Sequence, residues 1–327
     1  MRNRVRAQVA IVLLALAGCL VPAGSATAAP STAATASLAA SASPVTEFGV
    51  TTPGGLRATG QLDQVTRVAG AAPSIVMAYS DFAHPLDVAG LDAVAARGAT
   101  PMITWEPWVW GGGVNQPAYS LAKITSGSFD GYVRTWARGL RSWGKPVYLR
   151  FAHEMNGDWY PWSERVNGNR AGDYVAAWRH VRAVFEAQKV TNVRWVWSPN
   201  VTYPGSLDLP GLYPGSSSVD VVAVDGYNWG TAASWSIWTS PGELFDPTVR
   251  QLRTLAPGKT IMLAEVASAE QGGSKAAWVT DLFTWLRAQG DVRAFIWFDQ
   301  AKEADWRIDS SDSAASAFAA GLSGLRS

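Results

Sequence analysis

Pro146-Val147-Tyr148-Leu149-Arg150-Phe151-Ala152-His153-Glu154-Met155-Asn156-Gly157-Asp158-Trp159-Tyr160-Pro161-Trp162 begins apolar and ends in polar and aromatic side chains. Pro146–His153 reads as a strand. The carboxylate, amide and three aromatics beyond it are hard to explain as packing. Outward from this stretch, seven more short apolar or β-branched runs read as strands: Phe48–Thr52, Ser74–Tyr79, Thr100–Trp105, Val193–Ser198, Val219–Tyr227, Thr260–Ala267 and Val292–Asp299. Between them Leu91–Arg97, Phe129–Ser142, Ala171–Gln188 and Ala276–Ala288 carry apolar residues at three- and four-residue spacing, the helical period. An open doubly wound sheet would also alternate strands and helices. The count of eight, with polar side chains at the C-terminal end of nearly every strand, predicts instead an α/β chain folded as a single (β/α)8 TIM barrel.

A second segment, Ala264-Glu265-Val266-Ala267-Ser268, places one acid near the end of an otherwise apolar seventh strand. A buried bare carboxylate costs several kcal/mol, so Glu265 is paired, protonated or functional. Pairing with a structural arginine is the plain alternative. On an eight-strand ring the fourth and seventh strand ends face one another, so a sugar ring fits between Glu154 and Glu265. That arrangement suits glycoside hydrolysis, where the gap between the carboxyls sets the stereochemical course.

The chain has 27 Lys plus Arg against 26 Asp plus Glu, a net charge of +1, which gives no basis for a nucleic-acid partner. A neutral substrate fits better. The 17 Trp and 9 Tyr include runs such as Trp105-Glu106-Pro107-Trp108-Val109-Trp110. Most tryptophans in a protein are structural, but a group on loops beside carboxylates suggests flat platforms for sugar rings. Trp297 is predicted as the floor under the reacting sugar. Trp105, Trp108, Trp159, Trp162 and Trp229 are predicted to line neighbouring subsites, with Asn156 also contacting substrate. Asp81, Glu106, Asp225 and Asp299 sit at strand ends and are read as orienting hydroxyls or partners. The three histidines have no metal-ligand spacing, so neither a metal nor another cofactor is expected.

The N-terminus carries Arg2, Arg4 and Arg6, then the apolar stretch Val9 to Val21, then a small-residue cleavage site at Ala26-Thr27-Ala28. Residues 1–28 therefore read as an export signal, whose apolar stretch is too short to span a bilayer. Residues 29–44 read as a flexible Ala/Ser/Thr-rich leader and 45–327 as the catalytic domain. The only cysteine, Cys19, would leave with the signal. Leu16-Ala17-Gly18-Cys19 also has the form of a lipobox, which would instead anchor the protein to the membrane. Secretion as a monomer is the expectation, with no transmembrane segment in the mature chain.

Arg150, the His153-Glu154-Met155-Asn156-Gly157 run with Trp159 and Trp162, Asp225-Gly226-Tyr227-Asn228-Trp229, Ala264-Glu265 and Trp297-Phe298-Asp299 together resemble glycoside hydrolase family 26. The resemblance covers most of Phe48–Ala320 and implies a retaining, two-step mechanism. It makes Glu154 the general acid/base and Glu265 the nucleophile, supported by His153, Arg150 and Tyr227. His153 stands where most of the clan has Asn, as is usual in this family. The family's activities include β-mannanase, mixed-linkage β-glucanase and β-1,3-xylanase. Gly226–Thr231, Ala264–Glu270 and Glu303–Ile308 look most like its lichenase-type members, which implies a β-1,3-1,4-glucanase acting on polysaccharide, with β-mannanase as the alternative. A non-catalytic carbohydrate-binding barrel is a further alternative, disfavoured because binding alone needs neither acid.

Overall fold

The computed structural model describes residues 47–326. The predicted export signal, Cys19 and the leader lie outside the described residues. Eight parallel strands run in chain order around a ring: β1 (Glu47–Thr51), β2 (Ile75–Asp81), β3 (Thr100–Glu106), β4 (Val147–Phe151), β5 (Val193–Trp197), β6 (Val221–Asn228), β7 (Thr260–Ser268) and β8 (Val292–Phe298). β8 pairs with β1 and closes the barrel. Every expected strand is present, and the fold is the expected (β/α)8 barrel. Helices α1 (Thr59–Ala69), α2 (Val88–Ala96), α3 (Leu121–Thr125), α4 (Asp130–Trp143), α5 (Asp173–Ala187), α6 (Leu209–Leu212), α7 (Pro241–Leu255), α8 (Lys275–Ala288) and α9 (Asp312–Arg326) join them.

Helix boundaries follow from local chemistry. In α4 the buried residues Val133, Trp136, Ala137 and Leu140 form one face, and Gly144 with φ 75° ends the helix in a conformation that a β-carbon disfavours. α7 starts at a reciprocal cap in which the Ser240 hydroxyl accepts from the Glu243 amide and the Glu243 carboxylate accepts from the Ser240 amide. Such a cap contributes about 1 kcal/mol and fixes where the preceding loop ends.

Strand side chains alternate between two cores. Ile75, Met77, Met102, Tyr148, Val196, Val221, Ala223, Met262, Ala264, Ala294 and Ile296 pack together inside the barrel. Their neighbours Val76, Ile103, Leu149, Trp195, Val222, Leu263 and Phe295 pack outward in the larger core with the helices. A fully buried Val or Leu in either layer contributes roughly 1.5–3 kcal/mol.

β7 breaks this alternation. Along β6 the pairing passes from Val224↔Leu263 directly to Asp225↔Glu265, and along β8 from Leu263↔Phe295 to Val266↔Trp297. β7 thus carries an extra residue, a β-bulge. Met262 and Ala264 face inward, so strict alternation would turn Glu265 toward the helices. The bulge changes the phase and leaves Glu265 facing the barrel mouth.

Candidate active site

The C-terminal ends of the strands surround a cleft of about 1260 Å³, lined in part by Tyr79, Glu106, Glu154, Tyr227, Glu265 and Phe298. Glu265 meets three donors there. Tyr79 Oη donates to its Oε1 at 2.6 Å, the Arg150 guanidinium donates to the same oxygen, and Tyr227 Oη donates to Oε2. Burial, then the charge of Glu265, push both phenols well above the usual tyrosine range, so they remain donors.

Arg150 projects from β4 and is fully buried. Its Nε donates to Thr104 Oγ1 at 2.9 Å and its Nη1 to Asp225 Oδ2 at 2.6 Å, while Ser198 donates to the other Asp225 oxygen. Burial opposes the charge, but Asp225 and Glu265 together hold the guanidinium firmly protonated. Glu265 does have an arginine partner, as the plain alternative supposed. It also lines an open cleft, which a purely structural pair would not require.

Glu154 follows β4 on a strained stretch. Ala152 and Glu154 have φ of 48° and 52°, a left-handed conformation costing about 1–3 kcal/mol per non-glycine residue. Hydrogen bonds from the Ala152 amide to Trp105 O and from the Glu154 amide to Ser198 O hold it in place. The Glu154 carboxyl accepts from Asn200 Nδ2 at 2.7 Å and from Trp159 Nε1 at 2.8 Å. Gly157 permits the second contact: a β-carbon there would lie 2.4 Å from the Trp159 ring. Burial first, and then the like charge of Glu265, push the Glu154 pKa up to about 7 against these two hydrogen bonds. His153 Nε2 lies 4.0 Å from Glu265 Oε1, and burial with the nearby Arg150 charge pushes the imidazole well below its usual pKa. His153 is therefore neutral, packed against Tyr160 and Trp162 at ring distances of 4.9 and 5.8 Å.

The structure brings Glu154, Glu265, Arg150, His153 and Tyr227 together and sorts the predicted aromatics into two groups. Trp108, Trp159 and Trp229 line the cleft. Trp105, Trp162 and Trp297 do not, and their predicted sugar contacts are corrected here. Trp105 faces the helices and stacks on Trp136 at 4.7 Å. Trp162 lies beneath Tyr160 at 4.4 Å and donates to His153 O. Trp297 is fully buried between Trp278 and Phe318, with its Nε1 donating to Trp306 O at 2.8 Å. The reason is strand phase, since Ile296 takes the inward position and Phe298 the next one. Asn156 is likewise buried, exchanging hydrogen bonds with the Asn200 backbone, so it positions Asn200 and makes no sugar contact.

A variant tests this sorting. Trp297→Phe is expected to lower stability by about 1–3 kcal/mol through lost volume and a lost hydrogen bond, leaving KM for polysaccharide unchanged. Denaturant titration and Michaelis curves on the same sample would check it, and a raised KM would restore Trp297 to the cleft.

The sequence reading missed Tyr79, Asn200, Tyr160, Trp110 and Trp306, all of which line the cleft. Tyr79 and Asn200 were visible only as polar residues ending the second strand and following the fifth. Among the strand-end acids, Asp81 accepts from His84 Nδ1 and the Trp110 amide, and Asp299 from the Ile308 amide. Glu106 faces the cleft and accepts from Trp110 Nε1, with its pKa raised by burial to about 7. Among the described residues no three His, Cys, Asp or Glu side chains are grouped to hold a metal ion.

Two buried carboxyls with contrasting surroundings, facing one aromatic cleft at the mouth of an eight-stranded barrel, define a class of carbohydrate-active proteins. The chain belongs to glycosyl hydrolase family 26, whose model matches residues 113–292. Endoglucanase H of Acetivibrio thermocellus is 42% identical over 234 residues, 69% of this chain and 25% of that protein. Mannan endo-1,4-beta-mannosidase A and B of Caldalkalibacillus mannanilyticus is 36% identical over 94 residues, 27% of this chain and 18% of the relative. The matched region thus spans a quarter or less of these curated relatives. In fold, the catalytic domain of the Bacillus sp. JAMB-750 GH26 endo-beta-1,4-mannanase superposes with a TM-score of 0.65 at 18% identity, covering 85% of each chain.

Proposed function

We propose that this protein is a retaining endo-β-glycanase in which Glu154 is the general acid/base and Glu265 the nucleophile. One observation carries the reading: three donors converge on Glu265, whereas Glu154 accepts from only two and burial pushes its pKa up to about 7, so two carboxyls in one cleft meet contrasting surroundings. In the first step Glu265 attacks the anomeric carbon as the glycosidic bond breaks, and the Glu154 proton passes to the departing oxygen. In the second step water attacks that carbon, Glu154 takes its proton, and the ester to Glu265 is released. With Glu265 esterified, its charge no longer raises the Glu154 pKa, which favours the base form when it is needed.

The preferred substrate is mixed-linkage β-1,3-1,4-glucan. The lichenase-like stretches and the identity to a relative named endoglucanase support it. Mannan is the second reading, supported by the relatives named mannan endo-1,4-beta-mannosidase. The protein is further proposed to be exported through residues 1–28 and to act outside the cell as a monomer, with 29–44 as leader and 45–327 as catalytic domain.

Reducing ends released from barley β-glucan and from galactomannan, with the anomer formed first followed by NMR, test these statements together. β-Glucan is expected to be cleaved faster, with the β-anomer as first product; an α-anomer would sink the retaining mechanism. As an acid, Glu154 must hold its proton, so kcat/KM is expected to fall as pH rises through about 7. A rate that stays level from pH 6 to 9 would remove Glu154 from that role.

A further inference from the structure

The loop from Trp229 to Ser240, between β6 and α7, exposes two large apolar side chains: Trp235 is 72% and Ile237 76% exposed. Such exposure on a loose loop would mean little. This loop is tied at both ends and in the middle. Asn228 Oδ1 accepts from the Gly230 and Thr239 amides, Ser236 Oγ donates to Gly230 O and Ala233 O, the Thr231 amide donates to Gln271 O, and Trp278 Nε1 donates to Thr239 O. Trp238 seals its inner side, packed so closely over Gly273 that a β-carbon there would fall 2.5 Å from the indole. The backbone is therefore fixed, and it holds Trp235 and Ile237 away from the core.

Trp235 also ends a run of rings that starts at the proposed nucleophile. Tyr227, which donates to Glu265, lies 6.4 Å from Trp229, and Trp229 lies 5.1 Å from Trp235. Trp306 closes one side of this run, 5.1 Å from Tyr227 and 4.8 Å from Trp229. Trp235 and Ile237 line the same cleft as Glu154 and Glu265, with Ser236, Thr239 and Glu243 nearby to meet hydroxyl groups.

We infer that Trp235, backed by Ile237, is an outlying sugar platform that carries the β-glycan chain out of the cleft along the β6 side. The inference rests on the proposed glycanase reading and adds a binding position beyond the reacting centre. The occupant is a β-linked pyranose, whose flat C–H face stacks on an indole while its edge hydroxyls reach polar side chains. A stacking contact of this kind acts on chains long enough to reach it and leaves the chemistry at Glu265 untouched.

The test separates binding from hydrolysis. Trp235→Ala and Trp235→Phe are made in the full chain, alone and combined with Glu265→Ala, with thermal unfolding of each to confirm an intact fold. Affinity electrophoresis through gels containing barley β-glucan then reads binding without turnover. Trp235→Ala is expected to weaken retention about five- to tenfold and Trp235→Phe much less. In the catalytically intact background, the ratio of kcat/KM on β-glucan to that on an aryl cellobioside is expected to fall by a similar factor. Retention and ratio equal to the parent's in Trp235→Ala would overturn the platform while leaving the glycanase reading intact. Trp235-dependent retention in a parent without hydrolysis would support the platform and remove the enzyme reading. A parent that neither hydrolyses nor is retained by β-glucan or galactomannan would overturn both.

Discussion

Glu265→Ala is expected to lower kcat on β-glucan by on the order of 10⁵-fold, while the protein still binds the polymer. The size follows from the proposed covalent step, in which Glu265 supplies the attacking oxygen and the neighbouring Asp225 cannot replace it. Asp225 is fully buried and its two oxygens are occupied by Arg150 and Ser198. The truncated side chain would leave a small space facing Tyr79, Tyr227 and the Arg150 guanidinium, a set of donors suited to an anion. Added azide should therefore restore turnover of an activated aryl glycoside, with its nitrogen bonding to the anomeric carbon as the phenolate leaves. The product would be an α-glycosyl azide, identifiable by NMR. Glu154→Ala should behave differently, losing polysaccharide hydrolysis but still attacking substrates whose leaving group needs no proton. If Glu265→Ala hydrolysed β-glucan at the parental rate, the assignment of the nucleophile would be wrong.

Arg150→Met carries the largest expected loss of stability, about 3–5 kcal/mol, because a buried charge network broken on one side leaves the other side uncompensated. Asp225 and Glu265 would then share the barrel interior without a cation. Lysine should not rescue the site, since one ammonium cannot reproduce the planar fork that serves Thr104, Asp225 and Glu265 at once. Combining Arg150→Met with Asp225→Asn removes one of the stranded charges, so the pair should be less destabilised than the sum of the single changes. Urea titrations of the four proteins would measure this. Additive losses would show that Arg150 and Asp225 do not act as a unit.

Much of this architecture is legible in the sequence because parallel strands and amphipathic helices leave strong periodic patterns. The strands lie within two or three residues of their expected ends, and Glu154 and Glu265 announce themselves as acids after or within apolar runs. Trp105 and Trp297 were misread for the same reason that their strands were easy to find. A strand buried on both faces is apolar at every position, so the pattern does not reveal which residues face the barrel interior. Ile296 and Trp297 look equally suited to either side, and only the ring's register decides between them. Asn156 reads as a sugar ligand because it follows the acid, whereas its amide is consumed by the Asn200 backbone from another loop. Such long-range partnerships leave no local mark. Tyr79 and Asn200 were overlooked on the same account, since their importance comes from contacts spanning 186 and 46 positions of the chain.

The bulge in β7 means that the aim of Glu265 is stored as a register and not as a composition. Substitutions along Met262–Val266 change what is presented to the cleft, but not the side to which position 265 points. Pairing all residues of β7 in strict alternation would invert every position after Ala264 while leaving the composition of the strand unchanged. Two chains could thus share this barrel and every residue of the strand, yet differ in chemistry by one step of register. A designer who straightened the strand for regularity would improve the hydrogen-bond ladder and turn the carboxylate into the helical layer.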